Sequence, residues 1–284
     1  MTGYRMREVL AESGRLFLAG LPTVFPWVLA AELVQALPLA NTGGNLLTMD
    51  LSLLGRPDYL ARSLLVGAAQ AVLYSAAVIR LAALAGEPIP GKPGWNAARA
   101  MPSVLIGYIA YELVVVIGLV LTFAVFMIGL FVGGPLFGLV LCVLPLAPTA
   151  AVSTALALFI FPAVLERRGP FASLGESSRL AKTHWGKVTL VISVPVLALL
   201  AAWCVQNGPE IARTVHSYLD LLSQHAEEGL SVGDLESLQG VLESQTGAAH
   251  AGGWRLGGIA LGAFAWWYTL AVCYAQYRDL KRSA

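Results

Sequence analysis

Charged residues are scarce in this sequence of 284 amino acids. Only 12% of them are Asp, Glu, Lys or Arg, and the mean hydropathy is +0.71, whereas soluble proteins carry about 25% charged residues. Residues 113–165 include no charge at all. As one helix that run would be about 80 Å long, but a bilayer core is about 30 Å thick. The scarcity excludes a soluble domain and predicts at least two membrane crossings, with a turn at Gly133-Gly134-Pro135.

Cysteine and histidine are also few, with three and four copies. Cys142, Cys204 and Cys273 lie in apolar windows, and no two of them have metal-ligand spacing. Buried free thiols are the favoured interpretation, and a disulfide between Cys142 and Cys204 is the alternative. The sequence lacks an H-E-x-x-H, P-loop or dinucleotide motif, and a G-x-S-x-G match at Gly229 follows a predicted helix instead of a strand. We therefore expect no enzyme, no metal, no cofactor and no nucleic-acid partner.

Long apolar windows predict an all-α fold, a polytopic transmembrane helical bundle that forms a single integral membrane domain over residues 1–284. The six predicted spans are 16–37, 63–85, 102–128, 136–165, 188–205 and 256–275. All but four of the 18 Lys and Arg residues then fall on one side of the membrane. By the positive-inside rule that side is the cytoplasm. We therefore predict a multi-pass protein of the inner (plasma) membrane with both termini cytoplasmic.

The longest polar segment, 206–254, is predicted to lie on the outer side. It is acidic, with Arg213 as its one Lys or Arg residue, and its apolar residues recur at helical spacing on either side of Gly229. This pattern indicates an extracytoplasmic helical hairpin that covers the outer end of the bundle.

A heptapeptide occurs twice, as Leu10–Leu16 and Leu174–Leu180, with five of seven positions identical. Each copy precedes a predicted span that runs outward, so the repeat predicts two related units in parallel orientation. We expect a cytoplasmic interfacial elbow helix in each unit. A segment at 95–101 suggests a third, more divergent elbow.

The paired elbows allow two interpretations. Glu and Arg three residues apart, as in Glu12–Arg15 and Glu176–Arg179, are neighbours on a helix, and the small residues between them favour close packing. The structural interpretation is an elbow that fixes the angle of the next span. The functional one adds lipid or partner recognition, because each Lys or Arg near an anionic leaflet contributes about 1 kcal/mol. The candidate headgroup ligands are Arg15, Arg179, Lys182 and Lys187.

Glu112 and Gln70 are predicted at similar depth inside the membrane, in the third and second spans. An acid at that depth must be neutral, paired or exposed to water, and it is a functional candidate by default. Tyr74, Tyr108 and Tyr111 could join the same polar layer. The alternative is a structural hydrogen bond between a neutral Glu112 and Gln70. Glu32 is expected at the outer membrane interface instead.

The chain resembles the YciC-like group of bacterial inner-membrane proteins, whose activity is not established. The residues that carry this resemblance are Phe161-Pro-Ala-Val-Leu-Glu166, Gly169-Pro-Phe171, the second heptapeptide and the ending Tyr277-Arg-Asp-Leu-Lys281. The resemblance implies six spans and a cytoplasmic elbow rich in Ser and Arg. The outer hairpin is longer than that group leads us to expect.

These features support two hypotheses about function. The first is a non-enzymatic scaffold or lipid-binding helper in envelope homeostasis, with anionic membrane lipids as its partners. The alternative is a small-solute or proton-coupled transporter that uses Glu112 as its proton carrier, in spans interrupted by prolines. Glycine pairs such as Gly258 and Gly262 favour close helix packing, either within the bundle or with a membrane-protein partner or second copy.

Overall fold

The computed structural model describes residues 6–39, 57–88, 92–199, 201 and 254–283. All regular elements in these residues are helices, which confirms the all-α prediction. They are α1 (Met6–Gly20), α2 (Phe25–Leu39), α3 (Pro57–Leu84), α4 (Pro93–Leu141), α5 (Val143–Leu156), α6 (Ile160–Leu165), α7 (Pro170–Lys182), α8 (Trp185–Leu199) and α9 (Trp254–Ser283). The predicted outer hairpin lies outside the described residues, apart from Trp254, where α9 begins.

Four helical segments are long and apolar enough to cross a membrane, which makes the chain a multi-pass membrane protein. They are Ala61–Leu84, Pro93–Phe126, Leu136–Leu165 and Gly258–Ser283. The pair α1–α2 is bent by 78° and counts as a fifth span if it crosses as one unit. The shorter α8 is the described part of the predicted span 188–205. The described residues therefore supply four or five spans of the six predicted.

The first predicted span, 16–37, differs most from the structure. It breaks after Gly20, and α2 starts at Phe25. Pro22 has no N–H to donate and cannot continue the ladder of α1, while Pro26 falls in the first turn of α2, where proline is tolerated. The bend wraps around Trp267 of α9, and a side chain at position 20 would overlap that indole. Glycine is therefore required where the two helices meet.

The predicted turn at residues 133–135 is present. The backbone remains helical from Pro93 to Leu141, but contacts across the turn show that the chain folds back on itself. These contacts join Gly118 to Thr149, Thr122 to Cys142, and Gly129 to Gly138. Their midpoints cluster at residues 132–134, so the first part of α4 runs antiparallel to the last turns of α4 and to α5. At its other end α4 passes Pro102 without a break, and the predicted elbow at 95–101 is its first two turns.

Packing is uneven along the bundle. Half of the most apolar window of α9 is buried, and its buried Trp267 and Tyr274 form a core with Phe161 of α6 and the second half of α3. Only 6% of the corresponding window of α4 is buried. Its exposed side chains are large and apolar, with Phe123 at 65% and Val120 at 61% exposure. In a bilayer such a surface can face lipid without penalty, so among the described helices α4 is suited to contact with lipid.

Cys142 and Cys273 are buried free thiols, as predicted. Cys204 lies outside the described residues.

Candidate functional site

The first heptapeptide joins α1 to α9 through a largely buried cation. Arg278, whose side chain is 12% exposed, contacts a carboxylate oxygen of Glu12 at 2.5 Å and one of Glu87 at 3.1 Å. Glu87 reaches it because Gly86, with a φ of +80°, reverses the chain after α3. The partner of Glu12 is thus Arg278 instead of the predicted Arg15. Two carboxylates balance a cation that burial would otherwise penalise.

The second heptapeptide forms its ion pair within α7. Arg179 donates to both carboxylate oxygens of Glu176, at 2.7 and 3.1 Å, and Arg168 approaches the same group at 3.4 Å. The hydrogen bond from Arg179 is the largest influence on the pKa of Glu176. Together with the charge of Arg168 it outweighs burial, so this pKa lies below its ordinary value of 4.5. The predicted Glu–Arg pair is therefore present in this copy.

Glu166 fastens α9 to the connection between α6 and α7. It accepts hydrogen bonds from Tyr277, from Lys281 and, at 2.7 Å, from Arg168. Partial burial alone would raise the pKa of Glu166, but these donors outweigh it and lower that pKa. The ring of Phe161 stacks on Tyr277 at 5.3 Å. Two of the short motifs that carry the sequence resemblance therefore contact each other.

Ser13 and Ser177 occupy the same position in the two heptapeptides. Both are fully buried, but they have different partners. Ser13 donates to the carbonyl of Leu10 in its own helix, at 2.8 Å. Ser177 donates to the carbonyl of Ala155 at 2.7 Å and accepts from the N–H of Leu158 at 3.1 Å. The second serine thus pairs backbone groups at the break between α5 and α6.

The exposed faces of α1 and α7 combine cations with large apolar side chains. On α1 these are Arg7, Arg15 and Leu18; on α7 they are Phe171, Arg179 and Lys182. Leu18 is 67% exposed and Phe171 is 74% exposed. Arg15 makes no ion pair within the described part of the chain. Lys187 and the half-exposed Trp185 extend the second surface at the start of α8.

A cavity of about 230 Å³ lies between α2, α3, α4, α6, α8 and α9. Its wall is largely apolar and aromatic, with a polar side formed by Glu32, Gln70 and Tyr74. Tyr74 donates to Glu32 at 2.5 Å, and Gln70 donates to the carbonyl of Ala31 at 3.3 Å.

The cavity includes only part of the predicted polar layer. Gln70, Tyr74, Tyr108 and Tyr111 line it, as grouped from the sequence, but Glu112 does not and lies beside Tyr108 instead. The carboxylate in the cavity is Glu32, which we expected at the outer interface. The prolines at 22 and 26 were the available signal, because they indicate that a new helix begins near Phe25. Glu32 then lies two turns after the start of that helix.

No group of three or more His, Cys, Asp or Glu side chains is arranged to hold a metal ion in the described ranges. The chain matches no protein-family model, no curated protein and no solved structure. The resemblance to the YciC-like group therefore stays a prediction that rests on its short motifs.

Proposed function

We propose that this protein is a non-enzymatic, lipid-binding scaffold or helper in envelope homeostasis of a bacterial inner membrane, with its elbow helices on the cytoplasmic surface. The observation that carries this proposal is that α1 and α7 each expose a face on which cations lie beside large apolar side chains. A helix with cations and large apolar side chains on one face is suited to the membrane interface, where the apolar groups enter the acyl boundary and the cations meet headgroups.

The cations fall into two groups, those held in ion pairs and those that are exposed, and this difference supports the proposal. Arg278 and Arg168 are held by internal carboxylates and serve the fold. Arg15, Lys182 and Lys187 are exposed, and Arg179 keeps 61% of its side chain accessible despite its pair with Glu176. The four predicted headgroup ligands are thus accessible to an anionic lipid.

Native mass spectrometry from a gentle detergent tests the proposal. The wild type is expected to retain anionic lipid that the Arg15→Ala/Arg179→Ala variant loses. Arg80→Ala/Arg282→Ala is the matched control, because it removes two exposed cations from α3 and α9. Equal lipid loss in the control would reduce the effect to general surface charge, and no retained lipid in the wild type would overturn the proposal.

The cavity favours transport of a small solute, or proton-coupled transport, as a second candidate function. Our sequence hypothesis used Glu112, but the acidic residue on the cavity wall is Glu32. Flux into proteoliposomes that is abolished by Glu32→Gln and unaffected by Glu112→Gln would support transport through this cavity. Flux lost with Glu112→Gln alone would favour the original mechanism.

A further inference from the structure

We propose that the central cavity is a binding site for a small organic cation, an aryl- or alkylammonium group, held by Glu32 and the aromatic wall. This site is separate from the elbow surfaces and goes beyond the function proposed for them.

The carboxylate of Glu32 differs from those at the end of the bundle. Glu12, Glu166 and Glu176 each have a guanidinium or ammonium partner within 3.4 Å. Glu32 is paired with a neutral phenol, the hydroxyl of Tyr74, at 2.5 Å. One hydrogen bond compensates a buried charge only in part, so a cation in the cavity would gain a strong partner.

The wall of the cavity suits an organic cation. No Lys, Arg or His is found among the described residues that line it. Aromatic side chains from α3, α4, α6, α9 and the α5–α6 break line the space. They include Tyr74, Tyr108, Phe159 and Trp266, and the rings of Tyr74 and Trp266 lie 6.2 Å apart. The faces of such rings attract alkylammonium groups, and the attraction is stronger where water is excluded.

Size narrows the ligand class further. A volume of about 230 Å³ is below the roughly 300–1,000 Å³ of sites that enclose a drug-sized ligand. It is suited to a cationic head with one ring or a short chain. The side chain of Gln70 beside Glu32 adds an amide that can orient polar substituents on that head.

Binding to the full chain in a neutral maltoside detergent tests this inference. The probe is benzyltrimethylammonium, measured by equilibrium dialysis against protein-free micelles. N-benzylacetamide is the neutral control and p-toluenesulfonate the anionic control. We expect saturable binding of the cation, at least tenfold tighter than either control. Equal binding of the neutral compound would overturn the inference.

Single substitutions test whether Glu32 supplies the negative charge that binds the cation. Glu32→Gln should weaken cation binding at least tenfold, whereas Glu112→Gln, which alters a carboxyl group off the cavity wall, should change it less than twofold. Tyr74→Phe keeps the ring and should retain most of the binding. Unchanged binding in a folded Glu32→Gln variant would contradict the inference.

A second measurement needs no variant, in case Glu32→Gln does not fold. Photolysis of 4-azidobenzyltrimethylammonium on the wild type should label peptides of α3 and α9 that line the cavity, in competition with unlabelled cation. Labelling confined to the elbow helices would overturn the inference. Arg15→Ala/Arg179→Ala should leave cation binding intact, so this test and that of the elbow proposal fail independently.

Discussion

The two heptapeptides have nearly the same sequence, yet they make different bonds. In both, the serine is buried and the arginine is exposed. In the first, the glutamate reaches across to Arg278 while the serine bonds within its own helix. In the second, the glutamate pairs within its helix while Ser177 reaches across to the α5–α6 break. The repeated residues determine which face is buried, and the neighbouring elements determine the partners.

The two elbows also resemble each other in the turn and helix that come after them. A four-residue turn separates α1 from α2, and a two-residue turn separates α7 from α8. Each turn leads into an apolar helix of about 15 residues. The middle unit has no such turn, since α4 continues from Pro93 past Pro102 without a break. The predicted third elbow at 95–101 therefore differs from the other two, because it is continuous with the helix that follows it.

Among the predicted changes, removal of the cation that joins α1 to α9 should have the largest effect on stability. Arg278→Met keeps an unbranched apolar stem but removes the guanidinium, so Glu12 and Glu87 lose their shared cation. Loss of one partner from such a buried arrangement costs about 3 kcal/mol. Thermal unfolding in detergent, followed by tryptophan fluorescence, should show a markedly lower Tm.

Arg282→Met is the control for that change, because Arg282 lies one turn further along α9 and is exposed. Its Tm should stay close to that of the wild type. Equal Tm values for the two variants would show that Arg278 does not hold the first elbow.

The two serines provide the next largest contrast. Ser177→Ala removes a donor and an acceptor from buried backbone groups at the α5–α6 break, which costs about 2 kcal/mol. Ser13→Ala removes one bond to a carbonyl in its own helix, and we expect about 0.5 kcal/mol or less. The same unfolding measurement compares them, and a larger loss for Ser13→Ala would invert the roles assigned to the two copies.

Acid should weaken the second elbow. The pKa values of Glu166 and Glu176 are lowered in the folded protein, so their contribution to stability is complete above the ordinary value of 4.5. It is lost as the pH falls through the lowered values. A plot of Tm against pH should therefore decline below 4.5, and the decline should be shallower in Glu166→Gln. An identical decline in that variant would assign the acid sensitivity to other groups.

Part of the fold is predictable from composition and period. The uncharged run from 113 to 165 requires a reversal, and the Gly-Gly-Pro sequence is the one place in its middle that disfavours a continuous straight helix. The break after Gly20 is harder to predict, because the apolar window continues through it and its cause includes Trp267, some 250 residues away. Pro102 shows that a proline does not always mark a break, since α4 continues through it.

The candidate site residues also divide into those that local sequence predicts and those that depend on contacts between distant parts of the chain. Exposure of Arg15, Arg179 and Lys182 follows from the helical face opposite the buried serines, so local sequence predicts it. The role of Glu32 depends on where α2 begins, and the role of Arg278 depends on which helix ends meet. The start of α2 is indicated locally by the prolines at 22 and 26, whereas the partners of Arg278 are not a property of any short window.

The smallest predicted effect concerns lipid binding by the two elbow arginines, which their ion pairs make unequal. Arg15 makes no ion pair in the described residues, whereas Arg179 already donates to Glu176 through two nitrogens. Arg15→Ala should therefore lower the retention of anionic lipid roughly fivefold, the equivalent of about 1 kcal/mol, and Arg179→Ala should lower it less. Glu176→Gln would release Arg179 and make the two substitutions more nearly equal in native mass spectrometry. If Arg179→Ala has the larger effect in the presence of Glu176, the ion pair orients that guanidinium toward the lipid instead of occupying it.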